Sequence, residues 1–275
     1  MGHTEGVERW ALAEHGELVV TLAVVGALLA LAEHANPEVL RRARRDPAER
    51  RRHLGWLGVY VVVAPVVGAL TAGLVVRLDG ATPAAAVVGR LPAPLRWLVA
   101  LAVVDLVAYG LHRAAHRWGP LWRVHAAHHR ATDVRWWTAM RFHPVNAALD
   151  LTVPYAAAAA VGVGTGAVAG AAAAVTFVAL FAHADVHVPG RWLDHLVATP
   201  RYHRTHHEVD GHAANLALVL PVWDRLFGTR AAGAAPSAAR PRRFGIDAYP
   251  SSTTPSVSES TLATALATTA ATTSP

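Results

Sequence analysis

A stretch of 32 residues, Leu151 to Ala182, contains no charged side chain. As a single helix it would be about 48 Å long, whereas the hydrocarbon core of a bilayer is roughly 30 Å thick. The sequence VGVGTG (161–166) lies in its middle and favours a turn. Because backbone polar groups inside a bilayer must be paired within helices, the stretch predicts a helical hairpin that enters and leaves the membrane on the same face.

Three further apolar segments precede this hairpin, at 18–32, 54–76 and 95–111. The second is long enough to span a membrane, the third leads directly into a histidine-rich segment, and the first is short for a span. Hydrophobic residues make up 53% of the chain, which is high for a soluble protein. We therefore predict an all-α integral membrane bundle of about four spans or span-like elements, including the hairpin, with a cytoplasmic, histidine-rich helical cap.

The distribution of arginine predicts the orientation of the bundle. All 25 basic residues are arginine, and seven of them lie in the run RRARRDPAERRRH (41–53). Positively charged loops stay in the cytoplasm, so this run and all the histidine-rich segments are expected on the cytoplasmic face of a multi-pass protein, in a bacterial inner membrane. The net charge of +6 does not indicate nucleic-acid binding, because no basic stripe is interleaved with stacking aromatic residues.

The chain divides into three predicted regions. Residues 1–94 form an N-terminal transmembrane region with two spans and the basic cytoplasmic loop 41–53. Residues 95–230 form a histidine-box catalytic domain that contains the membrane hairpin 151–182. Residues 231–275 are rich in Ala, Ser, Thr and Pro and are predicted to be disordered, since they have little to bury.

Histidine is concentrated in the middle region, where 13 of the 17 histidines lie between residues 112 and 212. Spacings of three and four residues place side chains on one face of a helix, so each group can direct two or three imidazoles to a common point. Imidazole is a good ligand for iron, zinc, copper and nickel. Ten histidines in four groups are therefore the predicted metal ligands: His112 and His116; His125, His128 and His129; His183 and His187; His203, His206 and His207.

The sequence excludes several kinds of metal site. Without cysteine the chain cannot hold iron–sulfur clusters or thiolate-ligated zinc. The segment HRAAH has alanine where a zinc protease HExxH motif has its glutamate, and the region contains no ExxH motif of a carboxylate-bridged di-iron bundle. Ten nitrogen ligands suit two metal ions with about five ligands each, which leaves a position for a small oxidant.

Two other functions are compatible with the same residues. A metal-handling transporter or sensor could use the histidine clusters, although its ligands would be expected along a path through the membrane rather than at one face. A catalytically silent protein could use its apolar cavity only to bind lipid.

The ordered segments HRAAH, LWRVHAAHH, TAMRFHP, FAHADVH, TPRYHRTHH and PVWDRLFGT resemble the fatty acid hydroxylase / sterol desaturase superfamily of membrane di-iron enzymes. The resemblance covers about residues 95–230. It implies that the ten histidines bind two iron ions, with zinc possible in recombinant preparations. It also implies O2 as a co-substrate, a lipid substrate that is hydroxylated or desaturated, and electrons from an external ferredoxin or cytochrome-type reductase chain.

Three polar residues are candidates for supporting the metal ligands. Asp105 lies on the same helical stripe as His112 and is expected to orient a ligand imidazole or to bond another helix. His143 matches a position that is histidine in the family. Asn215 lies in Asn-Leu-Ala, where the family often carries Asn-Tyr-Gly shortly after the last histidine box.

Overall fold

The computed structural model of the protein describes residues 23–39, 46–209, 214–231 and 243–246, and within them the regular structure is helical apart from one isolated bridge between Glu208 and Phe244. The predicted all-α class is therefore confirmed. The principal helices are α1 (Ala23–His34), α2 (Pro47–Leu78), α3 (Ala85–Val88), α4 (Ala93–Arg117), α5 (Gly119–His129), α6 (Pro144–Ala160), α7 (Thr165–His183), α8 (Pro200–His206) and α9 (Val222–Leu226). Two 3-10 helices, Trp136–Met140 and Arg191–His195, lie between them.

Three of these helices, α2, α4 and α7, are long and apolar enough to cross a membrane. The longest, α2, begins where the Asp46 side chain accepts a hydrogen bond from the Glu49 backbone N–H and Pro47 occupies the first turn. Its apolar side chains point outward, with Val62 69% and Leu70 72% exposed. Large aliphatic groups left uncovered along a whole helix are what a lipid-facing surface requires.

The uncharged stretch forms the predicted hairpin, with α6 and α7 joined by a turn at residues 161–164. Gly162 and Gly164 both adopt positive φ, and a Cβ at Gly162 would lie 2.5 Å from the Cβ of Ala85. Beside the turn, the Thr82 backbone N–H and hydroxyl both donate to the Ala160 carbonyl, at 3.0 and 2.8 Å. The far end of the bundle is thus closed by direct backbone contact, which only glycine permits at position 162.

The core lies between α4 and the two hairpin helices and is built largely from small residues. Ala100, Ala158 and Ala171 are fully buried there. Small side chains let helices approach closely, which is the main source of helix association where lipid, rather than water, surrounds the bundle. A hydrogen bond of 2.8 Å between the hydroxyls of Thr71 and Thr152 joins α2 to α6 in the same way.

At the opposite end of the bundle, two buried glutamates connect the N-terminal helices to the loops that carry the histidines. Glu49, 1% exposed, accepts hydrogen bonds from Arg141 Nη1 at 2.6 Å and from the Thr132 backbone N–H at 3.2 Å. Glu33, also 1% exposed, accepts from the Trp136 backbone N–H at 3.1 Å. The N-terminal region therefore holds the histidine-bearing segments in place.

Some predictions fall wholly or partly outside the described residues. The first apolar segment, 18–32, is described only from Ala23 onward, and there it forms α1. Most of the predicted disordered tail, 231–275, also lies outside them. Residues 243–246 are described, and the Phe244 ring lies 4.9 Å from the Arg204 guanidinium.

Candidate metal centre

Nine of the ten predicted histidines meet at one end of the bundle, where the helices that carry them end. Their ligand nitrogens form two groups, and within each group the nitrogens lie within 4.8 Å of one another. We call them the five-histidine cluster and the four-histidine cluster. The first contains His112, His116, His125, His129 and His206; the second contains His128, His183, His203 and His207.

The four-histidine cluster converges on a single point. The Nε2 atom of His183 lies 3.1 Å from the Nε2 atoms of His128, His203 and His207. Metal–imidazole bonds are about 2.0–2.1 Å long, so two nitrogens at right angles on one metal lie about 3 Å apart. One lone pair on His183 cannot accept hydrogen bonds from three neighbours. The spacing is therefore that of ligands around one ion.

Hydrogen bonds on the other ring nitrogen fix which way four of the imidazoles point. The Nδ1–H groups donate to carbonyl oxygens: His112 to Leu216 at 2.7 Å, His206 to Ala214 at 2.9 Å, His183 to Ala179 at 2.7 Å and His125 to the Asn146 side chain at 2.9 Å. A neutral imidazole that donates through Nδ1 has its lone pair on Nε2. All four Nε2 lone pairs thus face the clusters, as metal ligands require.

The donor set fits a pair of divalent transition-metal ions. Burial lowers the pKa of His128, His206 and His207 well below its ordinary value, so these imidazoles are neutral at neutral pH. Nε2 of His206 is buried and has no hydrogen-bond partner among the described residues. A buried lone pair without a partner is costly, and a bound metal would satisfy it.

His187 lies apart from both clusters. The expectation that its spacing of four places it on the same helical face as His183 is wrong, because α7 ends at His183 and Ala184 is already extended, with φ −60° and ψ 143°. Helical periodicity does not continue past that residue, and the His187 side chain is exposed.

Asp105 does not orient a histidine. Its fully buried carboxylate accepts hydrogen bonds from the backbone N–H groups of Val219 (2.9 Å) and Leu220 (2.8 Å) and from the Trp223 indole (2.8 Å). The sequence allowed Asp105 either to orient a ligand imidazole or to bond another element, and the structure shows the second role. It fixes the segment before α9 against α4.

His143 caps α6, because its Nδ1 accepts a hydrogen bond of 3.2 Å from the Val145 backbone N–H. It belongs to neither histidine cluster. His143, at a position that is histidine in the family, therefore has a local structural role in this chain.

Asn215 acts on the clusters through the main chain. It has φ +56°, its amide donates to the Tyr202 carbonyl at 3.1 Å, and its side-chain oxygen accepts from the Ala231 N–H at 2.9 Å. The neighbouring carbonyls of Ala214 and Leu216 are those that orient His206 and His112. Asn215 is thus a positioning residue that holds both carbonyls in place.

Replacing Asn215 separates its two contributions. Asn215→Gly keeps the left-handed backbone and loses the side-chain hydrogen bonds, whereas Asn215→Ala loses the bonds and adds backbone strain of about 1 kcal/mol. We expect both variants to melt below the wild type in detergent, the alanine variant lower. An alanine variant at least as stable as the glycine variant would contradict this account.

Sequence reasoning missed two side chains that support the clusters from behind. Asn146 accepts the hydrogen bond from His125 and donates to Asp150. Asp224, fully buried, accepts from the backbone N–H groups of Leu216 and Ala217, each at 2.8 Å. For Asn146 the detectable signal was its neighbour one helical turn later, the ionisable Asp150 in an apolar helix; for Asp224 it was the place of that residue in the segment PVWDRLFGT.

A cavity of about 120 Å³ lies between the spanning helices and the clusters. Most of its wall is apolar, from α4, the hairpin helices and the 3-10 helix Trp136–Met140. The remainder includes five clustered histidines, His112, His125, His128, His183 and His203, so both clusters border the same space.

Comparison with known proteins agrees with this arrangement. A profile of the fatty acid hydroxylase family matches residues 97–229, which include all nine clustered histidines. Residues 97–229 form a fatty acid hydroxylase domain. The predicted resemblance is therefore confirmed.

Three curated relatives align with this domain. An ornithine lipid hydroxylase of Rhizobium tropici is 28% identical over 141 residues, which are 50% of this chain and 42% of the relative. The alkylglycerol monooxygenases of Homo sapiens and Danio rerio are 28% and 27% identical, over 50% and 48% of this chain and 31% and 30% of their own lengths. The aligned chain thus spans less than half of each relative. No solved structure gives a significant match.

Proposed function

We propose that the protein is a membrane-bound, O2-dependent lipid hydroxylase that holds two iron ions in its histidine clusters. The observation that carries the proposal is that both clusters border one largely apolar cavity. A long apolar substrate fits such a wall, and the imidazoles lie where its reacting C–H bond would be. The family match and the names of the relatives, a lipid hydroxylase and monooxygenases, support hydroxylation over desaturation.

The overall reaction consumes one O2, two electrons and two protons, converts one C–H bond to C–OH, and releases one water. Bound iron would supply the reduction of O2 and the oxidation of the C–H bond. The neutral imidazoles would leave the charge of bound metal ions uncompensated, so the metal-loaded site would favour small anionic or electron-rich ligands. The chain itself orients the imidazoles and, through the apolar cavity wall, excludes water.

We further propose that the clusters face the cytoplasm and receive electrons there from a separate ferredoxin or cytochrome-type reductase chain. The arginine run at 41–53 supports this orientation. Glu49 lies within that run and contacts Arg141 at the histidine-bearing end of the bundle, so the described part of the run, residues 46–53, lies at the same end as the clusters. His116, only half-buried, brings the five-histidine cluster close to that surface.

The test is lipid analysis of cells that express the wild-type protein or the double variant His183→Ala/His206→Ala, grown under isotopically heavy O2. Only the wild type is expected to yield a lipid that is heavier by one oxygen atom carrying the isotope. Identical lipid profiles, with metal bound in the wild type, would overturn the proposal. Metal uptake by wild-type proteoliposomes without any O2 consumption would favour a metal-handling protein instead.

A further inference from the structure

One carboxylate borders the cavity. Among the residues that line this space, Asp150 is the one acidic side chain, and the surrounding wall is mostly Ala, Val, Leu and aromatic rings. It lies in α6, one helical turn after Asn146. An ionisable group in an apolar helix of a membrane protein is costly to keep and points to a ligand or a partner.

Asp150 is half-buried and differs from the buried carboxylates in its number of partners. Each of the five buried carboxylates has two to four donors within hydrogen-bond or ion-pair distance: Glu33, Glu49, Asp105, Asp194 and Asp224. Within the described residues, Asp150 accepts one hydrogen bond, from the Asn146 side-chain N–H to its Oδ2. Its Oδ1 is thus available to a group in the cavity.

The position of Asp150 relative to the clusters limits where a bound lipid would react. His125 donates through Nδ1 to Asn146, which in turn donates to Asp150, so one amide side chain separates the carboxylate from a clustered imidazole. Asp150 and five of the clustered histidines line the same cavity. A group held by Asp150 therefore keeps its neighbouring carbons in the space that the imidazoles border.

We propose that Asp150 selects the substrate by accepting a hydrogen bond from a hydroxyl or ammonium group of the lipid. The oxidised carbon then lies close to this polar group and not in the remote part of an acyl chain. The inference about which carbon is oxidised rests on the proposed function, whereas the inference about which lipid binds does not. Charge-assisted hydrogen bonds are stronger than neutral ones, and such a bond would offset the cost of keeping a carboxylate in an apolar cavity.

The test measures lipid binding without turnover, by native mass spectrometry of the purified full-length protein. Three probes share one alkyl chain: a 1-alkylglycerol, its dimethyl ether and a primary alkylamine. The wild type is expected to bind the alkylglycerol and the amine at least tenfold more tightly than the ether, since the ether has no donor. Tighter binding of the amine than of the alkylglycerol would identify ammonium as the preferred group.

Asp150→Asn is expected to reduce that preference to within about twofold while its metal content stays at the wild-type level. Asp79→Asn is the matched control, because Asp79 is exposed at the C-terminal end of α2, and it should keep the wild-type preference. Equal binding of all three probes by the wild type would overturn the proposal without any variant. Loss of metal from Asp150→Asn with the preference intact would also overturn it and leave Asp150 as a positioning residue for His125.

These outcomes are separable from those of the proposed function. If the protein binds donor-bearing lipids selectively but never oxidises a lipid, the proposal for Asp150 is supported and the proposed hydroxylase function is wrong. If oxygen is incorporated far from any donor group of the lipid, the proposed hydroxylase function is supported and the proposed role of Asp150 is wrong.

Discussion

Replacing His183 with alanine is expected to lower the metal content of the purified protein from about two ions per chain to about one. The Nε2 atom of His183 is the point on which the other three members of the four-histidine cluster converge, each 3.1 Å away. Its loss leaves three ligands and an opening to the cavity, and metal affinity should fall by at least about 100-fold. His206→Ala is expected to empty the five-histidine cluster in the same way, and hydroxylation should be lost in both variants.

Elemental analysis by mass spectrometry of protein purified in detergent measures this directly, with either iron or zinc counted as metal. His187→Ala is the matched control, since it removes an exposed histidine of the same sequence motif and should retain both ions. Loss of an ion from His187→Ala would restore the ten-ligand prediction. Full occupancy in His183→Ala would show that the cluster does not bind metal.

Asp224→Ala is expected to be the most destabilising single substitution outside the clusters. The carboxylate is fully buried and accepts hydrogen bonds from the Leu216 and Ala217 backbone N–H groups, the Tyr202 hydroxyl at 2.6 Å and the Thr229 hydroxyl. Alanine would remove the acceptor of four buried donors, of which the Thr229 hydroxyl keeps the Tyr109 hydroxyl as a partner, and each donor left unpaired costs about 1–3 kcal/mol before relaxation. We expect a net loss of roughly 3–5 kcal/mol, comparable to breaking a buried ion pair.

Thermal unfolding in detergent should show this loss as a midpoint lower by roughly 10 °C, while the exposed Asp79→Ala leaves the midpoint unchanged. Because the Leu216 carbonyl orients His112, metal content should fall along with stability. A variant with the wild-type midpoint would mean that water or a shifted backbone replaces the carboxylate, and the assignment of Asp224 as a structural centre would then be wrong.

The histidine spacings predicted which side chains converge where the helix continues past the first histidine of a group. The i, i+4 pairs His125 with His129 and His203 with His207 each point to one cluster, as a 3.6-residue period requires. The prediction was wrong at His187 because α7 ends at His183, and Pro189 with Gly190 soon afterwards was the available signal.

The division of the ligands into five and four was not predicted. In each HxxHH box the outer pair belongs to one cluster and the middle histidine to the other: His128 joins the pair from α8, and His206 joins the pair from α5. Residues three apart and four apart differ by about 100° around a helix. Each box can therefore contribute its middle histidine to the cluster of the other box only if α5 and α8 face each other. That juxtaposition depends on the tertiary fold.

The hairpin was predictable because an uncharged stretch too long for one span has few alternatives. The roles of Asp150 and Asp224 were not, because their partners lie on other elements. Asp150 reaches His125 through Asn146, and Asp224 reaches Tyr202 from 22 residues away. Sequence spacing carries no information on such contacts.

The closed far end of the bundle has a consequence for energy coupling. The turn at Gly162 contacts Ala85 directly, and Val163 beside it is fully buried, so the described residues pack closely at that end of the bundle. For the proposed hydroxylase we therefore expect the two electrons and two protons of each turnover to enter from the histidine side. Lipid oxidation by this protein would move no net charge across the bilayer, and we expect its rate to be independent of the transmembrane voltage.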